Sequence, residues 1–337
     1  MARRLHCSQV GPAKDAFLEA MKILVAYDGS QCSEAAIDDL NRAGLPSSGE
    51  AVVITVAEVW LPPPNGADAS DAEVPDPYIE AALKRYRDKG ERMLNEAAML
   101  AEHAAKRLRN VLRGWKVSSY TSYGSPAWEV ISRAEDIEPD LIIIGSQGHS
   151  ALSRIVLGST SQKVLSESGC SVRIARGRNE VEPVAERRLM IGYDGSPGAN
   201  AAVDAVAARN WSPETLVQII CVMDPVVPST IGRFITPVSE WAEGESTVDH
   251  AWATEMAKNA VGRLADKGIT AESRTIAGNP KSALIREAEN WHADCLFVGA
   301  TSHTTRIGRL LLGSTAAALA ARAHCSVEVV RVPAEAK

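Results

Sequence analysis

Cysteine is scarce and never clustered in this chain: its six, at positions 7, 32, 170, 221, 295 and 325, form no Cys-x-x-Cys pair and stand beside no ladder of histidines. That argues against a disulfide framework or a zinc site and suits a reducing compartment, the cytoplasm. Cys221 and Cys295 lie inside apolar runs, where a reduced thiol behaves as a small hydrophobe. No apolar stretch reaches the length of a membrane span. The first twenty residues lack the apolar core of a signal peptide. Positions 1–20 therefore read as a disordered N-terminal extension, with Met21 a candidate start directly before the first strand. A positive field is missing too. Lys and Arg total 36 against 42 Asp and Glu, a formal net charge of -6, so nothing global attracts nucleic acid. Aromatics make up 5%, and the seven Trp read as packing residues rather than a base-stacking platform. A Gly-x-x-x-x-Gly-Lys-Ser/Thr loop and a nucleophile beside a base are also lacking, which leaves no strong catalytic machinery.

What the chain does have, it has twice. Gly145-Ser-Gln-Gly148 is followed after nine residues by Gly158-Ser159-Thr160, and Gly299-Ala-Thr-Ser302 after ten residues by Gly313-Ser314-Thr315. Each pattern begins where a short apolar run ends, Leu141–Ile144 in one case and Cys295–Val298 in the other. Glycines at the end of a buried strand, followed by a helix start, put backbone N–H groups where they can hold an anion. Other segments also recur. Lys22-Ile-Leu-Val-Ala-Tyr-Asp28-Gly-Ser30 returns as Leu189-Met-Ile-Gly-Tyr-Asp194-Gly-Ser196, Gly124-Ser-Pro126 as Gly278-Asn-Pro280, and Cys170-Ser-Val172 as Cys325-Ser-Val327. A chain of 337 residues has room for two domains. The expected division is 21–177 and 188–332, joined by a polar linker over 178–187.

Within each copy strands alternate with helices, which argues a parallel sheet covered on both faces. Ser196-Pro197, Ser125-Pro126 and Asn279-Pro280 suit N-caps followed by a first helical proline. Gly44 suits a helix stop. From about Ile79 to Arg109, Leu83, Tyr86, Met93, Ala97, Ala104 and Leu108 recur at helical spacing on one face, with a partner helix expected over Val248–Lys267. Leu61–Tyr78 and Asp224–Glu240 read as surface excursions. Ligands of such sheets bind beyond the carboxyl ends of the strands, where Asp28 and Gly145 fall. Asp28 suits a ribose hydroxyl or a metal ion carried on phosphates.

A strand ending in Asp, then Gly-x-x-Gly, nine residues, Gly and Ser/Thr, resembles the universal stress protein family, here in tandem over essentially Met21–Val332. The resemblance implies two tandem Rossmann-like α/β domains of the HUP (adenine nucleotide alpha hydrolase-like) kind, each a five-stranded parallel sheet with helices on both faces. It implies ATP, with or without Mg2+. Asp28 would lie by the adenosine, Ala26 and Val56 would line the base, and Gly145, Gly148, Gly158, Ser159 and Thr160 would hold the phosphates. The matching positions of the second copy are Gly192, Asp194, Val222, Gly299, Ser302, Gly313, Ser314 and Thr315. Family members pair through their terminal strands, so Val172–Ala175 and Val327–Val332 are expected to make an internal pseudo-dimer, with association of two chains left open.

The second copy departs from the pattern. Ser302 stands where the first copy has Gly148, and one residue is inserted before Gly313. A Cβ at a position needing positive φ costs about 1 kcal/mol or more, so the two sites are expected to differ. Three functions stay in view. The leading one is an ATP-binding regulatory or sensor protein of the stress response with at most slow hydrolysis. The second is a nucleotide-free dimerisation scaffold. The third is an adenylating or pyrophosphatase-type enzyme of the same superfamily, against which Tyr27-Asp-Gly-Ser30 stands in place of a Ser-Gly-Gly-x-Asp-Ser loop.

Overall fold

The computed structural model describes residues 20–59, 77–147, 157–177, 186–223, 254–300 and 312–332. Almost all of the expected extension, linker and surface excursions lies outside them, as do Gly148 and Ser302. In chain order the first copy runs β1 (Lys22–Ala26), α1 (Gln31–Asp39), β2 (Glu50–Ala57), α2 (Pro77–Val111), β3 (Lys116–Tyr123), α3 (Pro126–Ile137), β4 (Leu141–Gly145), α4 (Ser159–Glu167) and β5 (Ser171–Ala175). The second runs β6 (Arg188–Gly192), α5 (Pro197–Ala207), β7 (Leu216–Met223), α6 (254–265), β8 (Thr270–Ala277), α7 (Pro280–Asn290), β9 (Cys295–Gly299), α8 (Ser314–Arg322) and β10 (Ser326–Val330).

Each half is a parallel sheet, as expected, and the structure puts the first strand at its centre. The two halves do not stop at their own edges, however. The ten strands of the described residues form one sheet in the order β3-β2-β1-β4-β5-β10-β9-β6-β7-β8. Its one reversal is the antiparallel pairing of β5 with β10, where Val172 faces Val329, Arg173 faces Glu328 and Ile174 faces Val327. The expected internal pseudo-dimer is therefore built by hydrogen-bonding the two terminal strands.

The two faces of this sheet are joined differently at the seam. On one face, Ile142, Val164, Leu165, Val172 and Ile174 share a single apolar cluster with Leu296, Leu319, Val327 and Val329. On the other, the cluster under α1 and α2 (Ile23, Val25, Ile37, Leu108) is separate from the cluster under α5 and α6 (Leu189, Ile191, Val203, Leu264). Strand alternation explains the split, since Val172 and Ile174 point one way and Arg173 the other. Two arginines also cross the seam. Arg331 donates to the Leu165 carbonyl at 2.9 Å, near the end of α4, and its counterpart Arg176 donates to the Ala320 carbonyl at 2.5 Å, near the end of α8. A cation there satisfies orphan carbonyls and complements the negative end of the helix dipole.

Local signals hold with a few differences. Ser30, Ser196 and Asn279 cap their helices through side-chain oxygens, whereas Ser125 occupies the N-cap position without such a bond. In α2, Ala97, Ala104 and Leu108 are buried, but Tyr86, expected on the same apolar face, is 65% exposed. The stripe meets the sheet only along the C-terminal part of the helix, where Ala101 and Ala105 are buried as well. After α1 the chain makes a 3-10 turn, Leu40–Arg42, and reverses at Gly44 with φ +63°. A Cβ at Gly44 would stand 2.6 Å from the Trp211 ring of the second copy.

Gly44→Ala should therefore lose about 1 kcal/mol to the left-handed backbone and more to the indole. In a Trp211→Ala background the Gly44→Ala cost should shrink to the backbone part alone, a coupling that a double-mutant cycle on urea unfolding reads directly. Additive losses would show that Trp211 does not pack on Gly44.

Candidate functional site

The carboxyl ends of β1, β2 and β4 open on a cleft of about 560 Å³, within the range of small-molecule sites. Its lining includes Ala26, Asp28, Val56, Gly145, Gly158, Ser159 and Thr160, so seven of the eight first-copy residues singled out in the sequence converge there. The eighth, Gly148, lies outside the described residues.

Each is held by an identifiable local feature. Asp28 follows β1 and accepts the Ser30 N–H through Oδ1 at 2.9 Å, while the Ser30 side chain caps α1 through the Ser33 N–H at 3.2 Å. Gly145 is the last residue of β4, and Ser161 of α4 donates its hydroxyl to the Gly145 carbonyl at 2.7 Å. The Gly158 N–H donates to the Ser146 carbonyl at 2.9 Å, closing the neck of the intervening loop. Gly158 is the N-cap of α4 and has no side chain to occupy the first-turn N–H groups. This helix start, Ser159 and Thr160 all lie on the cleft's lining, an arrangement suited to an anion.

Gly145 has a packing reason beyond the expected one. A Cβ there would come 2.8 Å from the Cys32 carbonyl carbon, so the glycine also lets the first turn of α1 lie against β4. The second copy repeats this, since a Cβ at Gly299 would meet the Gly198 backbone at 2.4 Å.

The sequence did not single out the outer wall. Met93, Glu96, Ala97 and Leu100 of α2 line the cleft with Glu58, Pro126, Val130 and Gln147. Helix α2 is fastened there through α1: Arg107 pairs with Glu34 at 2.5 Å and with Asp38 at 2.7 Å. Tyr27, also on the lining, donates its hydroxyl to Glu34. Burial first, and then the Glu34 carboxylate, push its pKa well above the usual tyrosine value, so it stays a neutral donor. The helical spacing of Met93 and Ala97 was readable, but not which element the stripe would face. The chain supplies no local signal for that.

In the second copy, Asp194 repeats the turn of Asp28, accepting from the Ser196 N–H at 3.0 Å. Gly313 is the N-cap of α8, so Ser314 and Thr315 open that helix, and the Gly313 N–H closes the loop neck on the Ala300 carbonyl at 2.6 Å. The extra residue thus falls beyond a neck that both copies share. Gly192 ends β6 and Val222 lies in β7. Gly192 stands where the first copy has Ala26, and a Cβ there would meet Val298 at 3.0 Å and Leu284 at 3.1 Å. Leu284, larger than its counterpart Val130, has taken up that room. The surroundings of the first strand's carboxyl end therefore differ in shape between the copies, while their helix starts match.

A duplicated Rossmann-like sheet with a cleft at the carboxyl ends of its strands and a helix start on the cleft's lining places the chain among tandem α/β proteins. The profile of the Universal stress protein family matches residues 19–176 and again 186–331. The chain belongs to that family. It is 29% identical over 155 residues to the universal stress protein YxiE of Bacillus subtilis, a match covering 46% of this chain and 98% of that one. It is 25% identical over 214 residues to a universal stress protein of Mycobacterium tuberculosis, covering 58% and 66%. The crystal structure of a universal stress protein from Archaeoglobus fulgidus shares the fold, with TM-score 0.58 and 20% identity over 92% of this chain and 98% of that one. No helix among the described residues is long and apolar enough to cross a membrane.

Gly145→Ala should lower stability by about 1–3 kcal/mol, because Cys32 meets the new methyl with backbone rather than a yielding side chain. Gly169→Ala, with nothing within 4 Å of its Cβ, is the control. Equal urea midpoints for the two variants would remove the packing role assigned to Gly145.

Proposed function

We propose that the chain is a nucleotide-binding regulatory protein of the stress response that holds ATP in the cleft of its first copy. The observation that carries this reading is the convergence on one cleft of residues from four separate elements: Ala26 and Asp28 from β1 and its turn, Val56 from β2, Gly145 from β4, and Gly158, Ser159 and Thr160 at the start of α4. The apolar strand residues suit a base, Asp28 suits a ribose, and the helix start suits phosphates. Gly148 would complete the phosphate loop.

Mg2+ fits only as a passenger of the phosphates. Among the described residues no group of three His, Cys, Asp or Glu is placed to hold a metal, and Mg2+ commonly takes one or two carboxylates together with phosphate oxygens and water. Asp28 would be that carboxylate.

The second copy would be a modified companion site. Gly313, Ser314 and Thr315 repeat the phosphate-facing end and Asp194 the ribose-facing turn, but Gly192 and Val222 adjoin a region reshaped by Leu284, and Gly299 and Ser302 enter a loop one residue longer. A nucleotide bound at the first copy would bias the surfaces offered to protein partners in the cytoplasm, with hydrolysis slow at most.

Denaturing the purified protein and separating what it releases should yield an adenine nucleotide, and ATP titration should give two unequal sites. Ser159→Asp separates binding from folding. A carboxylate at the first helical position favours α4 by about 0.3–1 kcal/mol, yet it repels a triphosphate. ATP affinity at the tighter site should fall at least about tenfold, while the urea midpoint holds or rises. Unchanged affinity would move the nucleotide elsewhere, and absence of any binding by the parent protein would favour the nucleotide-free scaffold.

A further inference from the structure

At the centre of the seam between the copies sits a cluster of buried charge. Arg173 of β5 is wholly buried, and Glu328 of β10 is 1% exposed. Arg173 donates through Nη1 to Glu328 at 3.1 Å and through Nε to Asp39 at 2.6 Å, with Nη1 also 3.2 Å from the Cys295 sulfur. Arg209 approaches Glu328 from the other side, with Nη1 2.9 Å from its Oε2, and donates to the Ala43 carbonyl at 3.0 Å. Ser326 donates to the second oxygen of Asp39 at 3.0 Å. Burial opposes the charge on Arg173, but Asp39 and Glu328 outweigh it and the guanidinium stays ionised.

The position of this pair matters more than its strength. The recurrence of Cys170-Ser-Val172 as Cys325-Ser-Val327 makes Arg173 the counterpart of Glu328, Val172 of Val327 and Ile174 of Val329. In the sheet, Val172 faces Val329 and Ile174 faces Val327, whereas Arg173 faces its own counterpart. The pseudo-twofold axis therefore passes between Arg173 and Glu328. In any true twofold pairing of identical copies, the residue on the axis must face itself. Two first copies would set guanidinium against guanidinium, and two second copies carboxylate against carboxylate, directly opposite on neighbouring strands and shut away from water. A buried ion pair is a weak route to stability, and here Arg173 Nη2 has no hydrogen-bond partner among the described residues. Its value is discrimination.

We propose that the Arg173–Glu328 pair selects which copies join: it makes β5 complementary to β10 and incompatible with itself, so the seam forms between a first and a second copy and excludes chain association through β5–β5 or β10–β10 contacts. The neighbours reinforce the choice. Asp39 belongs to the first copy and Arg209 to the second, and the positions aligned with them carry Ala205 and Ala43, which supply no charge.

The test uses full-length chains. Arg173→Glu leaves two carboxylates on the axis and Glu328→Arg leaves two guanidiniums. Each should unfold at lower urea than the parent. The double variant Arg173→Glu/Glu328→Arg should regain at least about half of the summed loss, the rest being withheld because Asp39 and Arg209 then flank like charges. Mixing the two single variants in denaturant and refolding them together should give a one-to-one complex near twice the 36.0 kDa chain mass by light scattering, with each first copy seated on the other chain's second copy. Should either single variant fail to fold alone, the double variant and the co-refolded mixture still decide the matter. A double variant no more stable than the weaker single would overturn the proposal, as would single variants as stable as the parent. A mixture yielding no more mixed complex than the parent refolded with itself would also overturn it.

Discussion

The last strand of each copy ends its half-sheet, and an edge left there would present a row of unpaired N–H and C=O groups. In this chain the two edges satisfy each other, Val172–Ile174 against Val327–Val329, and most other features follow from that pairing. The apolar cluster on one face becomes continuous across the seam, so neither half closes its core without the other. The same junction brings Arg331 to the end of α4 and Arg176 to the end of α8. Those two helices follow the N-cap residues Gly158 and Gly313, so the elements that start at the two repeated glycine loops are each gripped at the far end by the opposite copy.

That linkage gives the site a physical context wider than its lining. A nine-residue helix is short enough for both of its ends to matter, and in water it would be marginal alone. A cation at the carboxyl end of α4 and an anion at its amino end act on the same dipole. Both ends of α4 are thus tied to the rest of the molecule, the amino end on the cleft's lining and the carboxyl end to Arg331 across the seam.

Much of this architecture could be read from the residues, for reasons that are local. Leu141–Ile144 and Cys295–Val298 are short apolar runs that end in glycine, and both are buried strands inside their half-sheets, between the central strand and the seam. Asp28, Gly158 and Ser159 sit where their turn and cap chemistry puts them. What escaped was long-range. Strands β3 and β8 are largely polar and only partly covered, with no fully buried residue in either, so their pattern announces little. The wall supplied by Met93, Glu96 and Ala97 depends on how α2 is drawn across the sheet by Arg107, Glu34 and Asp38, contacts made over many tens of residues. The second reason for Gly145, the approach of Cys32, is likewise invisible until α1 is laid against β4. The Arg173–Glu328 pair is the extreme case: each residue is an ordinary charge in the sequence, and only the register reveals that they meet on the axis.

Holding both copies in one chain changes what the seam permits. Closure within a chain is unimolecular, so its completeness does not depend on protein concentration, unlike that of a dimer of separate subunits. The residues on the axis are freed from self-compatibility and have become opposite charges. The carboxyl ends of the two half-sheets are freed from identity as well. Leu284 has grown into the room beside Gly192, and the second loop has gained a residue beyond its neck, while the helix starts that face both loops are unchanged. A twofold dimer would have to alter both sites together. Here one copy can be reshaped at its strand ends while the other keeps its form, and the paired strands between them stay as they are.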